Sequence, residues 1–226
     1  MLHLVFVETA LETVPPSIAR HPSVRRSAKR QGKMPEEILL NRSLHHSAMS
    51  RLPEDRKRGR PDIGHICLLE ALGTPLNRGG GLRVWVHTFG GQSIEVSPEV
   101  RLPRDCNRFN GLMEQLFSHG RVPPGAGDPL MHMSDMDLVG LKERIAPSLT
   151  IALTSHGSPS SLEDVCGRLS AETNPAVFIG AFPHGPMKDE TLSLADETVS
   201  IHTEPLEAWV VTSRLIYEFE KALRRR

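Results

Sequence analysis

Cysteine is scarce in this 226-residue chain, with only Cys67, Cys106 and Cys166 present. They are widely spaced and form neither a paired framework nor a CxxC metal site. That excludes a disulfide scaffold and implies reduced thiols in a cytoplasmic protein. No apolar run approaches the length needed to cross a bilayer, so no membrane association is expected. The first residues, MLHLVFVETA, lack the basic leader of a secretion signal and read instead as a buried strand. GxSxG, HExxH and a Walker loop are all missing. Net charge is missing too, since 27 basic residues balance 27 acidic ones. Taken alone, that balance argues against a general nucleic-acid binder.

The charge is unevenly spread. Between Arg20 and Arg60, twelve lysines and arginines stand against Glu36, Glu37, Glu54 and Asp55, a net of +8, which leaves the rest of the chain near −8. One basic face on a neutral protein suits a polyanion, and a solvated, salt-bridged surface is the plain alternative. The segment ends in DRKRGRPDIGH, whose Arg58-Gly59-Arg60-Pro61 core is like a DNA minor-groove hook. Such hooks work as disordered extensions. Here the motif abuts the apolar residues Ile63, Ile66, Leu68 and Leu69, and Asp62 would repel DNA phosphate while steering the Arg60 guanidinium. A folded surface is therefore expected, and no DNA partner. Arg56, Lys57 and Arg58 are left with a general attraction for a nucleic-acid backbone.

The length and 38% hydrophobic content suit one good core. Strands are expected over residues 2–8, 82–88 and 92–96, the last two as a hairpin across Gly90-Gly91, and over 148–155, 176–182 and 197–202. Helical patterns occupy 15–35 in part, the start of 35–49, 64–81 up to a Gly-rich turn, 103–118, 160–169 and 204–226. In 103–118, Phe109, Leu112, Met113 and Leu116 make the buried stripe. Residues 120–130 read as a loop, and the Met-rich stretch 132–137 as packing. The strand–helix alternation of the last third implies parallel pairing and an α/β fold.

Three loops end strands in that third, at 153–157, 180–185 and 201–206. Ligands of open α/β sheets bind beyond such carboxyl ends, although GAFPHG could equally be a simple turn. Arg101, Arg104 and Arg108 recur at spacings of three and four, on or just before one helix, and their planar guanidinium forks suit phosphate. A solvated helix face is the alternative. His45 and His46 are neighbours that point differently, and with no third ligand signalled no metal is expected.

The stretches LLNRSLHHSAM, KRGRPDIGHICLLEALGTPLN, RLPRDCNRFNGLMEQL, FIGAFPHG and PLEAWVVTSRL occur in this order. Together they resemble the ribosome-biogenesis pseudouridine-N1-methyltransferase family of the SPOUT superfamily, in its archaeal form. The resemblance implies a single SPOUT-type domain over 1–226. In it a parallel sheet carries helices on both faces, a basic RNA-facing insertion covers about 15–62, and a deep trefoil knot with the cofactor site lies at about 148–226. It implies S-adenosylmethionine as cofactor, held by Leu153, Gly180, Gly185, Ile201, His202, Thr203, Glu204, Pro205 and Leu206. It implies RNA contacts at Arg60, Arg101, Arg104 and Arg108, with Asp62 orienting Arg60. Asp62 is a possible base for the reaction, but a carboxylate engaged by a guanidinium is a poor one. The implied partners are small-subunit ribosomal RNA, a second copy of the chain and ribosomal or assembly proteins. Two other readings stay open: a non-catalytic ribosomal-RNA assembly factor, and a knotted methyltransferase acting on another RNA such as transfer RNA.

Overall fold

The computed structural model describes residues 1–125 and 127–225. Ala126, in the expected loop, and Arg226, at the end of the expected closing helix, lie outside the described residues. The order begins β1 (Leu2–Thr9), α1 (Pro22–Gln31), α2 (Arg42–Met49), α3 (Pro61–Leu72) and α4 (Pro75–Arg78). It continues β2 (Leu82–Thr88), β3 (Ser93–Val96), α5 (Cys106–His119), β4 (Arg121–Val122), β5 (Met131–Ser134) and α6 (Leu138–Ile145). It closes with β6 (Leu149–Pro159), α7 (Leu162–Ala171), β7 (Pro175–Gly180), α8 (Asp189–Leu192), β8 (Glu197–Ser200) and α9 (Ala208–Arg224). Short polar side chains set several helix starts. Asn41, Asp105, Asp137 and Ser161 each accept a backbone N–H of the first turn, satisfying a donor that the helix itself cannot.

The strands form one eight-stranded sheet in the order β4-β5-β3-β2-β1-β7-β6-β8. The parallel sheet expected from the resemblance is corrected here to a mixed one, with the expected 82–88/92–96 hairpin as part of its antiparallel side. β1 pairs in parallel with β2 and β7, and β6 with β7 and β8, but β2·β3, β3·β5 and β4·β5 are antiparallel. The Gly90-Gly91 hairpin turns the chain back, and the Met-rich stretch extends that edge as β5 instead of packing as a loop. Helices cover both faces. Leu2, Leu4 and Phe6 of β1 point into one core with residues of α3, α5, α7 and α9, while Val5 and Val7 point into another with α6. This is the two-residue alternation of a strand buried on both sides.

Residues 14–52 carry a third, separate cluster that joins α1 and α2 through Val24, Ala28, Ala48 and Met49. His45 is fully buried within this region. Its Nδ1 accepts the Asn41 N–H at 3.1 Å, and burial lowers its pKa to about 4. The folded state therefore holds neutral His45. Its stabilising contribution is complete above pH 6.5, the ordinary value, and is lost as pH falls toward 4. Hydrogen exchange should show α1 and α2 opening ahead of the sheet between pH 6.5 and 4, and His45→Gln should remove that acid step. Uniform protection across this range would contradict the assignment.

Candidate active site

Strands β7, β6 and β8 lie side by side, and the chain leaving them encloses a cleft of about 440 Å³. Leu153, Gly180, Gly185, Ile201, His202, Glu204, Pro205 and Leu206 line it. Thr203 sits exposed in the same loop but outside the lining. Pro205, expected to start the last helix, belongs to the wall instead, because α9 begins at Ala208. Sequence reasoning missed Ser155, His156, His184, Met187 and Ile63, which also face the cleft. Ser155, His156 and His184 lie on loops flagged only as strand ends, Met187 lies just beyond them, and Ile63 is brought in by α3 from far along the chain.

The cleft depends on a close crossing of backbones. Val199 of β8 pairs with Leu153 and again with Ser158, so residues 154–157 leave the ladder and return to the same partner. A Cβ on Gly157 would stand 2.5 Å from both N and C of Val199. Only glycine fits such an approach. Gly180 is tight against a side chain instead: a Cβ there would meet the Phe182 ring at 2.7 Å and would require that ring to shift.

Behind Phe182 lies a buried ion pair. Lys57 Nζ donates to Glu8 Oε2 at 2.7 Å and stands 4.5 Å from the Phe182 ring centroid. The other Glu8 oxygen accepts the Lys188 N–H at 2.7 Å. Glu8 holds a left-handed backbone, φ 50°, which costs a non-glycine residue on the order of 1–3 kcal/mol. The Glu8 carboxylate thus holds the Lys188 end of the 182–188 wall and the Lys57 ammonium together. Arg58 is buried as well, donating to Glu12 at 2.8 and 2.5 Å. The expected backbone attraction of Lys57 and Arg58 is therefore corrected, since their charges are spent inside the protein. Only Arg56 of that trio stays exposed.

A cationic surface adjoins the cleft. Arg60 Nε donates to Asp62 Oδ1 at 2.8 Å and its Nη2 to Oδ2 at 2.7 Å, a two-pronged grip. The Asp62 hydrogen bond, more than the charges of Asp62 and Glu207, raises the Arg60 pKa. His65, one turn along α3, meets the Pro103 carbonyl at 2.7 Å and stacks on Phe109 at 4.2 Å. These contacts fasten the stretch carrying Arg101 and Arg104 to α3. Burial raises the Cys106 thiol pKa, and the Asp62 and Asp105 charges add to it. Arg101, Arg104 and Arg108 are exposed and make no ion pair among the described residues. The arrangement sets the cleft beside a cationic surface, the two joined at the N-terminus of α3. Among the described residues, no group of three or more His, Cys, Asp or Glu could hold a metal ion, and no helix is long and apolar enough to cross a membrane.

Comparison with known proteins agrees along the whole chain. The family described as EMG1/NEP1 methyltransferase matches residues 4–220. The chain is 45% identical over 215 residues to the ribosomal RNA small subunit methyltransferase Nep1 of Staphylothermus marinus, covering 95% of this chain and 93% of that one. Against the protein of the same name from Thermococcus kodakarensis it is 44% identical over 226 residues, covering 99% of each. Among solved structures it resembles Archaeoglobus fulgidus Nep1 bound to S-adenosylhomocysteine, with a TM-score of 0.87, 40% identity and 99% of each chain covered. The chain belongs to the EMG1/NEP1 methyltransferase family.

Proposed function

We propose that this chain transfers the methyl group of S-adenosylmethionine to N1 of a pseudouridine in small-subunit (16S) ribosomal RNA, in the cytoplasm, as a step of small-subunit biogenesis. One observation carries the reading: the cleft and the cationic surface meet at the start of α3, where Ile63 faces the cleft and Arg60 and Asp62 precede it. The relatives named as small-subunit ribosomal RNA methyltransferases supply the RNA class. The S-adenosylhomocysteine complex of the similar structure supplies the cofactor.

The residues present fit that cofactor. The cleft volume lies in the usual range of about 300–1,000 Å³ for small-molecule sites. Leu153, Ile179, Ile201 and Leu206 give it an apolar wall for the adenosine part, and the loops offer backbone groups for the polar edges. S-adenosylmethionine supplies a methyl group already activated on a sulfonium. Pseudouridine is joined to its ribose through carbon, so its N1 carries a proton and is free to react. The main task of the protein is alignment, which supplies roughly 7–11 kcal/mol in favourable cases. Arg60, Arg101, Arg104 and Arg108 hold the RNA backbone so that an unstacked base reaches the cleft. Both Asp62 oxygens are taken by Arg60, so Asp62 orients the arginine and the N1 proton leaves to water.

The reading includes a SPOUT-type domain with a basic insertion over about 15–62 and a deep C-terminal trefoil knot over about 148–226. It also includes a homodimer, supported by Val210 and Tyr217, exposed two turns apart on α9. Ribosomal or assembly proteins are further partners under this reading.

Asp62→Asn should lower RNA affinity on the order of tenfold, about 1.4 kcal/mol, and leave cofactor affinity unchanged by calorimetry. Unchanged RNA affinity would sink the orienting role. The function itself is tested by offering a pseudouridine-containing small-subunit hairpin beside transfer RNA. Methylation of the hairpin alone supports the reading. Methylation of transfer RNA, or RNA binding without any transfer, favours the alternatives.

A further inference from the structure

We propose that the exposed face of α1 is a second RNA-docking surface, which grips the phosphate backbone of a helical stem flanking the loop that carries the target base. The inference rests on the RNA reading above and extends the substrate footprint beyond the cleft.

Ion pairing singles out this face. Lys33, Arg42, Lys57, Arg58 and Arg60 each have a carboxylate partner. Arg20, Arg25, Arg26, Lys29 and Arg30, on or just before α1, are exposed and have none among the described residues. Arg20, Arg25, Arg26, Lys29 and Lys33 line a shallow groove of about 550 Å³ that contains no carboxylate. Helix α1, PSVRRSAKRQ, has no acidic residue. Its Arg25/Lys29 and Arg26/Arg30 pairs therefore repel at i,i+4, each costing about 0.2–0.5 kcal/mol. The dipole at the C-terminal end favours Lys29 and Arg30 but not Arg25 and Arg26. The uncompensated repulsion is what an absent polyanion would relieve.

The type of polyanion follows from what α1 lacks. It has no aromatic residue, and binding of single strands relies on base stacking over aromatic rings. A cationic face without stacking partners suits phosphates on an A-form stem, which proteins recognise by shape and backbone. No residue of α1 lines the cleft, so these cations do not act at the reacting base.

The face is held in a fixed relation to the arginine cluster. Glu114 of α5 is buried, and it accepts from Lys33 Nζ at 2.6 Å and from the Leu39 N–H at 3.0 Å. Arg108 lies six residues earlier on α5, about 9 Å along the axis at 1.5 Å per residue. Glu114 thus ties the segment that follows α1 to the helix that carries Arg108.

The test is the variant Arg25→Ala/Arg26→Ala/Lys29→Ala/Arg30→Ala, in which alanine preserves helix propensity. Two hairpins share one pseudouridine loop, one with a long stem and one cut to its closing pairs, and each is titrated over a salt series. Long-stem affinity should fall at least tenfold, and its slope of log affinity against log salt should shrink by about 3.6, as expected for four lost phosphate contacts on a duplex. Short-stem affinity, cofactor affinity and circular dichroism should stay at wild-type values. Equal losses on both hairpins, or none on either, would overturn the proposal. Undiminished RNA binding would assign the face to an acidic protein instead. Arg60→Ala runs alongside and should weaken both hairpins. If it weakens neither, the RNA reading itself has failed.

Discussion

Gly157→Ala is expected to abolish cofactor binding and to lower stability. The added Cβ would stand 2.5 Å from the N and C atoms of Val199, which belong to backbone and cannot rotate away. Overpacking of this kind costs typically 1–3 kcal/mol and occasionally more. Here the strain falls where residues 154–157 shape the cleft, so binding suffers beyond the loss of stability. Gly111→Ala is the control. Gly111 lies within α5 with nothing inside 4 Å of a new Cβ, so alanine should stabilise by up to about 1 kcal/mol. Thermal melts of the two variants should move in opposite directions, and calorimetry should show cofactor affinity lost in Gly157→Ala and unchanged in Gly111→Ala. Wild-type cofactor affinity in Gly157→Ala would show that the crossing does not shape the site.

Lys57→Met should have the next largest effect. It leaves Glu8 buried without its partner, and breaking a buried ion pair costs about 3–5 kcal/mol. At roughly 2–4 °C per kcal/mol for a chain of this size, the melting temperature should fall by at least about 6 °C. Because Glu8 also holds the Lys188 N–H, the 182–188 wall should loosen and cofactor affinity should drop with it. The double variant Glu8→Gln/Lys57→Met removes both charges, and the new amide oxygen can still accept from Lys188. It should therefore be more stable than Lys57→Met alone and recover part of the cofactor affinity. Strictly additive losses would mean that the pair does not act as a unit.

The sequence was most legible where signals are local. The β2–β3 hairpin followed from Gly90-Gly91 between alternating runs, the start of α7 from its serines, and the core stripe of α5 from its periodicity. It was least legible where partners are distant. Lys57 and Arg58 read as surface cations because Glu8 and Glu12 lie 49 and 46 residues away. The continuation of the antiparallel edge beyond β3 was hidden because β4 is only two residues long and β5 is short and rich in methionine, a residue with little strand preference. Within the site, the resemblance marked residues of the β6, β7 and β8 ends that the fold gathers around one cleft, apart from Thr203. Ile63, His156 and the Glu8–Lys57 support carried no local pattern. Their roles exist only once α3, β1 and the loops are packed together.

The most direct test of the central claim uses one small-subunit hairpin made twice, with pseudouridine or uridine at the same loop position. Each is incubated with the protein and S-adenosylmethionine, then digested to nucleosides for mass analysis. The account predicts N1-methylpseudouridine from the first RNA and no methylated nucleoside from the second. Methylated uridine, a ribose-methylated product, or no product from either RNA would contradict it.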